Sequence, residues 1–190
     1  MTEYDRIAAW YAATRSPGVG VAEVARAVQG LARGARVLDL GCGTGAPLTE
    51  HLVGAGLAVT ALDSSPAMIA RTRARLPSVD ARCARIQDAA FADGAFGAVV
   101  AWGVLFHLAE ADQAAAIGRV ARWLEPGGRF VFTSGAERGV RTGTMGGVAF
   151  EYVSLGRAGY RAQVERAGMR LLRSARDAWD NHVYLAEAPD

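Results

Sequence analysis

Val37-Leu38-Asp39-Leu40-Gly41-Cys42-Gly43-Thr44-Gly45 decides how this chain reads, because a short apolar strand stops abruptly at a block of alternating glycines and a helix-compatible run follows. Glycines at alternate positions remove every Cβ from the turn, so a ligand can approach the backbone closely while N–H groups point toward a helix start. Pro47 suits the first helical turn, where its missing N–H costs nothing. Spacing alone leaves the ligand open. Gly41, Gly43 and Ala46 also satisfy the dinucleotide fingerprint G-x-G-x-x-G/A, and Asp63 stands where a ribose-binding acid belongs.

Working outward, two helical stretches precede the loop, around 2–13 and 21–31, separated by the breaker Ser16-Pro17-Gly18. After it, helix and strand alternate: a helix from Pro47 to Gly54, a strand from Ala58 to Asp63, and a helix from Pro66 to Leu76 with Ser65 as N-cap. Strands near 80–87 and 98–102, a helix over 110–124 and a strand over 129–133 continue a pattern that predicts a parallel sheet covered by helices on both faces. The carboxyl third changes character. Residues 136–147 are glycine-rich and read as a loop, a helix follows over 154–167, and strands 169–176 and 182–188 are joined by a turn at 177–181, which predicts antiparallel pairing.

With 190 residues the chain reads as one domain, and that length leaves no room for the separate substrate half a dehydrogenase needs. A formal charge of +2 gives no electrostatic case for nucleic acid. All 21 basic residues are arginine, a compositional bias rather than a functional signal. The amino terminus, Met1-Thr2-Glu3-Tyr4-Asp5-Arg6, lacks the apolar stretch of an export signal. The longest nearly unbroken apolar run, 95–106, falls short of the roughly 20 residues that span a bilayer. Cys42 and Cys83 have no metal-type spacing, and no metal site is expected. These features predict a cytoplasmic protein, a monomer or homodimer, with no membrane or nucleic-acid partner.

The wording around the loop narrows the ligand. Asp39 two residues before the first glycine, then G-C-G-T-G as a block, resembles motif I of the class I S-adenosylmethionine-dependent methyltransferases. The resemblance extends over about 37–188. It implies the Rossmann-like methyltransferase fold: α/β, doubly wound, a mostly parallel seven-stranded sheet closed by a C-terminal antiparallel hairpin. One domain over 1–190 is then expected to divide into a helical lid (1–34), a cofactor-binding core (35–135), a variable substrate loop (136–153) and the terminal helix and hairpin (154–190).

Ala61-Leu62-Asp63-Ser64-Ser65-Pro66-Ala67-Met68 resembles motif II of that family, in which Asp63 accepts hydrogen bonds from both ribose hydroxyls, as a carboxylate with two oxygens suits a vicinal diol. By the same resemblance Asp39 holds the methionyl amino group, Asp88 and the Ala89 N–H take the adenine edge, and Gly41, Cys42, Gly43, Ser64, Met68, Tyr11 and Trp102 complete the cofactor set. Leu124-Glu125-Pro126-Gly127-Gly128-Arg129 resembles the family's turn before the fifth strand, a structural feature. Two departures stand out: Gln87 where the family has glycine, and Gly97 where it has an acid.

Methyl transfer from a sulfonium mainly needs alignment in a dry pocket, and a base is optional. Of three histidines, His51 belongs to an outer helix and His182 to the terminal hairpin, whereas His107 follows the fourth strand and is the candidate base, with loop anchoring as the alternative. Tyr4, Phe106, Phe150 and Tyr152 are candidate acceptor contacts, and Tyr4 to Tyr11 resembles the family's lid; the helical spacing of Tyr4, Ile7 and Tyr11 also fits core packing. Arg15, Arg138 and Arg141 are either solvated or anion-binding. The sequence lacks the Asn/Asp-Pro-Pro-aromatic signature of base-modifying enzymes after the fourth strand and the acidic metal site of catechol-type enzymes. The expected activity is methyl transfer to an O, N or S atom of a small aromatic or apolar metabolite. A sensor or scaffold without turnover and an NAD(P)-binding reductase are the alternatives.

Overall fold

The computed structural model describes residues 2–190, so Met1 of the lid reading lies outside the described residues. Among the described residues nine strands and six α-helices follow one another: α1 (Glu3–Thr14), α2 (Val21–Ala27), β1 (Arg36–Leu40), α3 (Leu48–Gly54), β2 (Ala58–Asp63), α4 (Pro66–Arg75), β3 (Asp80–Cys83), β4 (Phe96–Ala101), α5 (Glu110–Trp123), β5 (Leu124–Thr133), β6 (Arg138–Met145), β7 (Val148–Leu155), α6 (Gly156–Arg166), β8 (Arg170–Arg176) and β9 (His182–Glu187).

Seven strands form one sheet in the order β3-β2-β1-β4-β5-β9-β8. The first five are parallel, and β9 lies antiparallel to both β5 and β8, as the sequence predicts. Period-two alternation distributes the core over two faces. Leu38, Leu40, Val99, Phe130 and Phe132 pack under α5 and α6 against Ile117, Val120, Trp123, Tyr160 and Val164. Val37, Ala98, Val100 and Val131 face α2 and α3 through Val24 and Leu52. The chain leaves β1 toward β2 and returns on the other side as β4, which opens a crevice at the carboxyl ends of β1 and β4.

Residues 136–153 correct the loop reading. Strands β6 and β7 form a two-stranded antiparallel ribbon with Met145 opposite Val148, closed by Gly146 and Gly147 at φ of 54° and 79°. A two-residue turn with both residues left-handed matches the natural twist of a hairpin, and glycine adopts it without strain. The β-branched alternation Val140, Thr142, Thr144 lies between glycines that mask it as a strand. Three boundaries also move: β5 begins at Leu124, so the stretch Leu124–Arg129 read as a turn before it is already strand. Helix α2 ends at Ala27, and the third strand stops at Cys83, after which Ile86–Asp88 forms a 3-10 turn. Ser65 caps α4 as predicted, its hydroxyl accepting from the Met68 N–H at 3.2 Å.

Candidate functional site

The crevice opens into a cavity of about 400 Å³ floored by the glycine loop, the carboxyl ends of β2 and β4 and the stretch after β3. Helix α1 roofs it and the tip of β7 closes one side. Gly41 is required by both conformation and space: its φ is +71°, and a Cβ there would lie 2.6 Å from Cβ of Val104.

The loop spends its donors internally. The Gly41 and Cys42 N–H groups both donate to the Leu62 carbonyl, at 2.7 and 3.1 Å, and the Gly45 N–H donates to the Cys42 carbonyl at 3.0 Å. The Gly43 N–H donates to Oδ2 of Asp63 at 2.9 Å. Four of the five N–H groups from Gly41 to Gly45 are therefore committed to protein acceptors, so the loop is a poor cradle for a pyrophosphate.

Asp63 ends β2 at the cavity wall, its second oxygen accepting from the Ser65 N–H at 2.8 Å. Each carboxylate oxygen retains a lone pair for a further donor. Burial pushes its carboxyl upward against the pull of these N–H bonds. Ser64 and Met68 line the cavity beside it. Asp39 is only 2% exposed, accepts from the Thr49 hydroxyl at 2.7 Å, and is pushed up to about 6 by burial, with the Asp63 charge adding to the shift.

Asp39 and Cys42 do not face the main cavity but a smaller chamber that adjoins it at Tyr11, Gly41 and Trp102. Arg15, at the end of α1, lines the same chamber. Its guanidinium lies over the Tyr11 ring at 5.3 Å, and its Nε is buried without a hydrogen-bond partner. An acid and an unpaired buried guanidine nitrogen thus share one small space. Charge complementarity of that kind suits a zwitterion.

At the other end, Tyr4, His107 and Phe150 line the cavity. The Tyr4 hydroxyl lies 2.9 Å from Nε2 of His107, and the main-chain carbonyl of Glu151 faces the same imidazole. Burial pushes His107 down to about 4, against the opposing effects of that carbonyl and of Glu3. Phe106 and Tyr152 stand one ring behind, with centroids 4.8 and 5.3 Å from His107, and pack against it rather than lining the cavity. His182 is held in the hairpin by the Ser174 hydroxyl at 2.8 Å, and neither it nor His51 reaches the cavity.

The structure places Asp88 and Ala89 away from the cavity wall, which is formed there by Ala84 to Gln87. The contacts around Gln87 hold this arrangement. Its amide donates to Asp112 at 3.1 Å, while the Arg119 guanidinium donates to the Ile86 and Gln87 carbonyls, fixing a turn that leaves Asp88 exposed. The backbone of residues 84–87 is a wall the motifs do not reveal. Asp5 is another omission. It accepts from the Ser65 hydroxyl and from the Ala67 N–H at 3.1 Å, and so ties α1 to the start of α4. The Thr2–Asp5 capping box is the sequence signal for its position, although not for this second use. Among the described residues no group of three His, Cys, Asp or Glu side chains is arranged to hold a metal, and no helix is long and apolar enough to cross a membrane.

Residues 37–128 match a family model described as a methyltransferase domain. A ubiquinone biosynthesis O-methyltransferase of Xanthomonas oryzae pv. oryzae is 38% identical over 126 residues, covering 64% of this chain and 51% of the relative. The chain therefore spans about half the length of such curated relatives. Among solved structures, the CcbJ methyltransferase from Streptomyces caelestis superposes with a TM-score of 0.81 at 20% identity, covering 100% and 99% of the two chains. The [4+2]-cyclase SpnF superposes with a TM-score of 0.73 at 18% identity, covering 98% and 93%. At such identities the likeness is one of fold, and the site must carry the chemistry.

Proposed function

We propose that this chain is a class I S-adenosylmethionine-dependent methyltransferase that methylates an O, N or S atom of a small aromatic or apolar metabolite, a reading supported by the methyltransferase-domain match over residues 37–128 and the 38% identical O-methyltransferase relative. The observation that carries the reading is the pairing of Asp39 and Arg15 in one chamber beside the glycine loop. That chamber, only about 10 Å³ in this structure, brings together the opposite charges that the ammonium and carboxylate of a methionyl group would need, so the amino-acid end enters it only as the Arg15 and Tyr11 side chains move aside. It adjoins a cavity where Asp63 offers carboxylate lone pairs to a ribose diol. A nicotinamide dinucleotide carries no amino-acid end, and four of the loop's five N–H donors are already spent.

The bound cofactor supplies an activated methyl group on sulfonium sulfur. The protein's share is positioning and exclusion of water. Tyr11 and Trp102 line both spaces and lie where the methionyl arm passes between them; Met68 and residues 84–87 form the apolar and main-chain wall of the adenine end. Helix α1, latched through Asp5, is the lid, and Tyr4, His107 and Phe150 form the acceptor wall. His107, neutral at physiological pH, accepts a hydrogen bond from an acceptor O–H or N–H once that group replaces the Tyr4 hydroxyl. The aromatic lining favours a flat or apolar acceptor.

SpnF shows that this fold is shared by a protein named for another reaction, so turnover needs its own test. Calorimetry with S-adenosylhomocysteine and with NADH, followed by mass detection of methylated products from a panel of phenols, amines and thiols, provides it. Binding of the first nucleoside, none of the second, and a product 14 Da heavier with equimolar S-adenosylhomocysteine support the proposal. NADH binding with no response to S-adenosylhomocysteine overturns it.

A further inference from the structure

Strand β7 pairs with β6 on one side only, so its other edge faces the body of the protein with main-chain groups that need partners. Residues two apart on a strand present their carbonyls to the same edge. On that edge the Glu151 carbonyl faces the His107 imidazole, and the Val153 carbonyl accepts from the Gln113 side chain at 2.8 Å. Two side chains thus stand where a third strand would.

Gln113 does more than fill a gap. It projects from α5, is fully buried, and its Nε2 also donates to the Leu108 carbonyl at 2.8 Å, directly after the turn that carries His107. Its Oε1 accepts from the Tyr160 hydroxyl at 2.6 Å, and that hydroxyl pairs with Ser134 at the end of β5. Both amide hydrogens and the amide oxygen are occupied, and two carbonyl partners fix which end is nitrogen. One amide therefore joins the His107 loop, the β7 ribbon and, through Tyr160, α6 and β5.

We propose that Gln113 is a positioning residue for the acceptor half of the cavity, holding the loop of His107 and the ribbon of Phe150 at a fixed separation. That Phe150 and His107 meet an acceptor rests on the methyl-transfer reading above; the clamp itself rests on Gln113's own hydrogen bonds. An apolar residue of the same length fills the volume and leaves both carbonyls without donors, so the two walls separate while the core stays packed.

The test uses the full chain saturated with S-adenosylhomocysteine and needs no acceptor. Gln113→Met is compared with Tyr160→Phe, which removes only the hydroxyl that orients the amide, and with Val164→Ala, a core change on α6 with no polar tie. In Gln113→Met, amide hydrogen exchange over residues 104–109 and 148–154 rises by about tenfold or more. His107 titrates closer to the ordinary histidine value, and S-adenosylhomocysteine affinity changes by less than about threefold. Tyr160→Phe moves the same readouts in the same direction by less, and carries the test if Gln113→Met does not fold. Val164→Ala leaves both unchanged relative to the rest of the protein. Unchanged exchange and titration in the folded Gln113 and Tyr160 variants overturn the proposal, as does an equal rise in Val164→Ala. Failure to find any methylated product leaves these readouts intact, so the two readings fail separately.

Discussion

The Tyr4 hydroxyl on α1 and Nε2 of His107 on the loop after β4 stand 2.9 Å apart, two groups 103 residues distant in sequence that meet over the cavity. Both are uncharged at neutral pH, since burial raises the tyrosine and pushes His107 down to about 4. In the tautomer that carries its proton on Nδ1, the phenol donates and Nε2 accepts. The contact of α1 with the loop after β4 thus depends on the protonation state of His107.

If His107 accepts a proton from the acceptor, His107→Asn lowers the single-turnover transfer rate by about 10²-fold while cofactor affinity holds. The pH profile follows the depressed value. The neutral ring is present above about pH 4 and lost as pH falls through it, so the acid limb lies near 4 and the rate is flat from 6 to 9. Tyr4→Phe removes a donor that only the neutral ring can accept, so the limb moves upward. An acid limb near 6.5 in the parent, or an unchanged rate in His107→Asn, ends the assignment.

Asp39 gives a stability prediction with the opposite sign to most carboxylates. Its folded value of about 6 lies above the ordinary unfolded value, so the folded state binds the proton more tightly. Without cofactor, stability falls as pH rises through roughly 4 to 6, by on the order of 2–3 kcal/mol. Asp39→Asn should flatten that dependence, raise the melting temperature of the cofactor-free protein at pH 7 and weaken S-adenosylmethionine binding. Melting curves from pH 4 to 8 read the first two effects and calorimetry the third. A parent melting temperature that climbs steadily from pH 5 to 7 contradicts the prediction, provided Asp39→Asn abolishes the climb.

What the sequence disclosed and what it hid divide along physical lines. The sheet was readable because the Val37–Leu40 and Ala58–Asp63 runs are apolar strands bounded by glycine and by the Ser65 cap, all local signals. The hairpin of β8 and β9 was readable from its turn. The β6–β7 ribbon was not, because Gly139, Gly143, Gly146 and Gly147 dilute its alternation and it is stabilised by packing of Val148 and Phe150 on Ile7 of the lid. Asp39 and Asp63 lie at strand ends that topology alone positions. Asp88 follows a motif whose geometry depends on Gln87, Asp112 and Arg119, contacts made across 25 to 33 residues. The Tyr4–His107 pair and the Gln113 clamp exist only in three dimensions.

Asp63 carries a double load, since its oxygens already accept from the Gly43 and Ser65 N–H groups. Asp63→Ala should lower the stability of the cofactor-free protein by about 1–3 kcal/mol through those two orphaned donors. It should also remove most of the melting-temperature rise that S-adenosylhomocysteine produces in the parent. A full ligand-induced rise in the folded variant would show that the ribose is held elsewhere.

If Arg15 holds the methionyl carboxylate as proposed, its substitution separates recognition of the amino-acid end from recognition of the nucleoside. Its Nε is buried without a partner, it lines the chamber of Asp39, and its charge lowers the Asp39 carboxyl against the dominant effect of burial. In Arg15→Met the methionyl carboxylate loses its charge-assisted donor, which should weaken S-adenosylhomocysteine by about 10-fold or more. 5′-Methylthioadenosine has the same nucleoside and no amino-acid end, so its affinity should hold. The substitution also removes a positive charge near Asp39, so that carboxyl should titrate above its parent value. Parallel calorimetry with the two nucleosides gives the contrast directly: equal losses for both would mean that Arg15 merely supports Tyr11 and the lid, whereas a loss confined to S-adenosylhomocysteine places the guanidinium on the carboxylate.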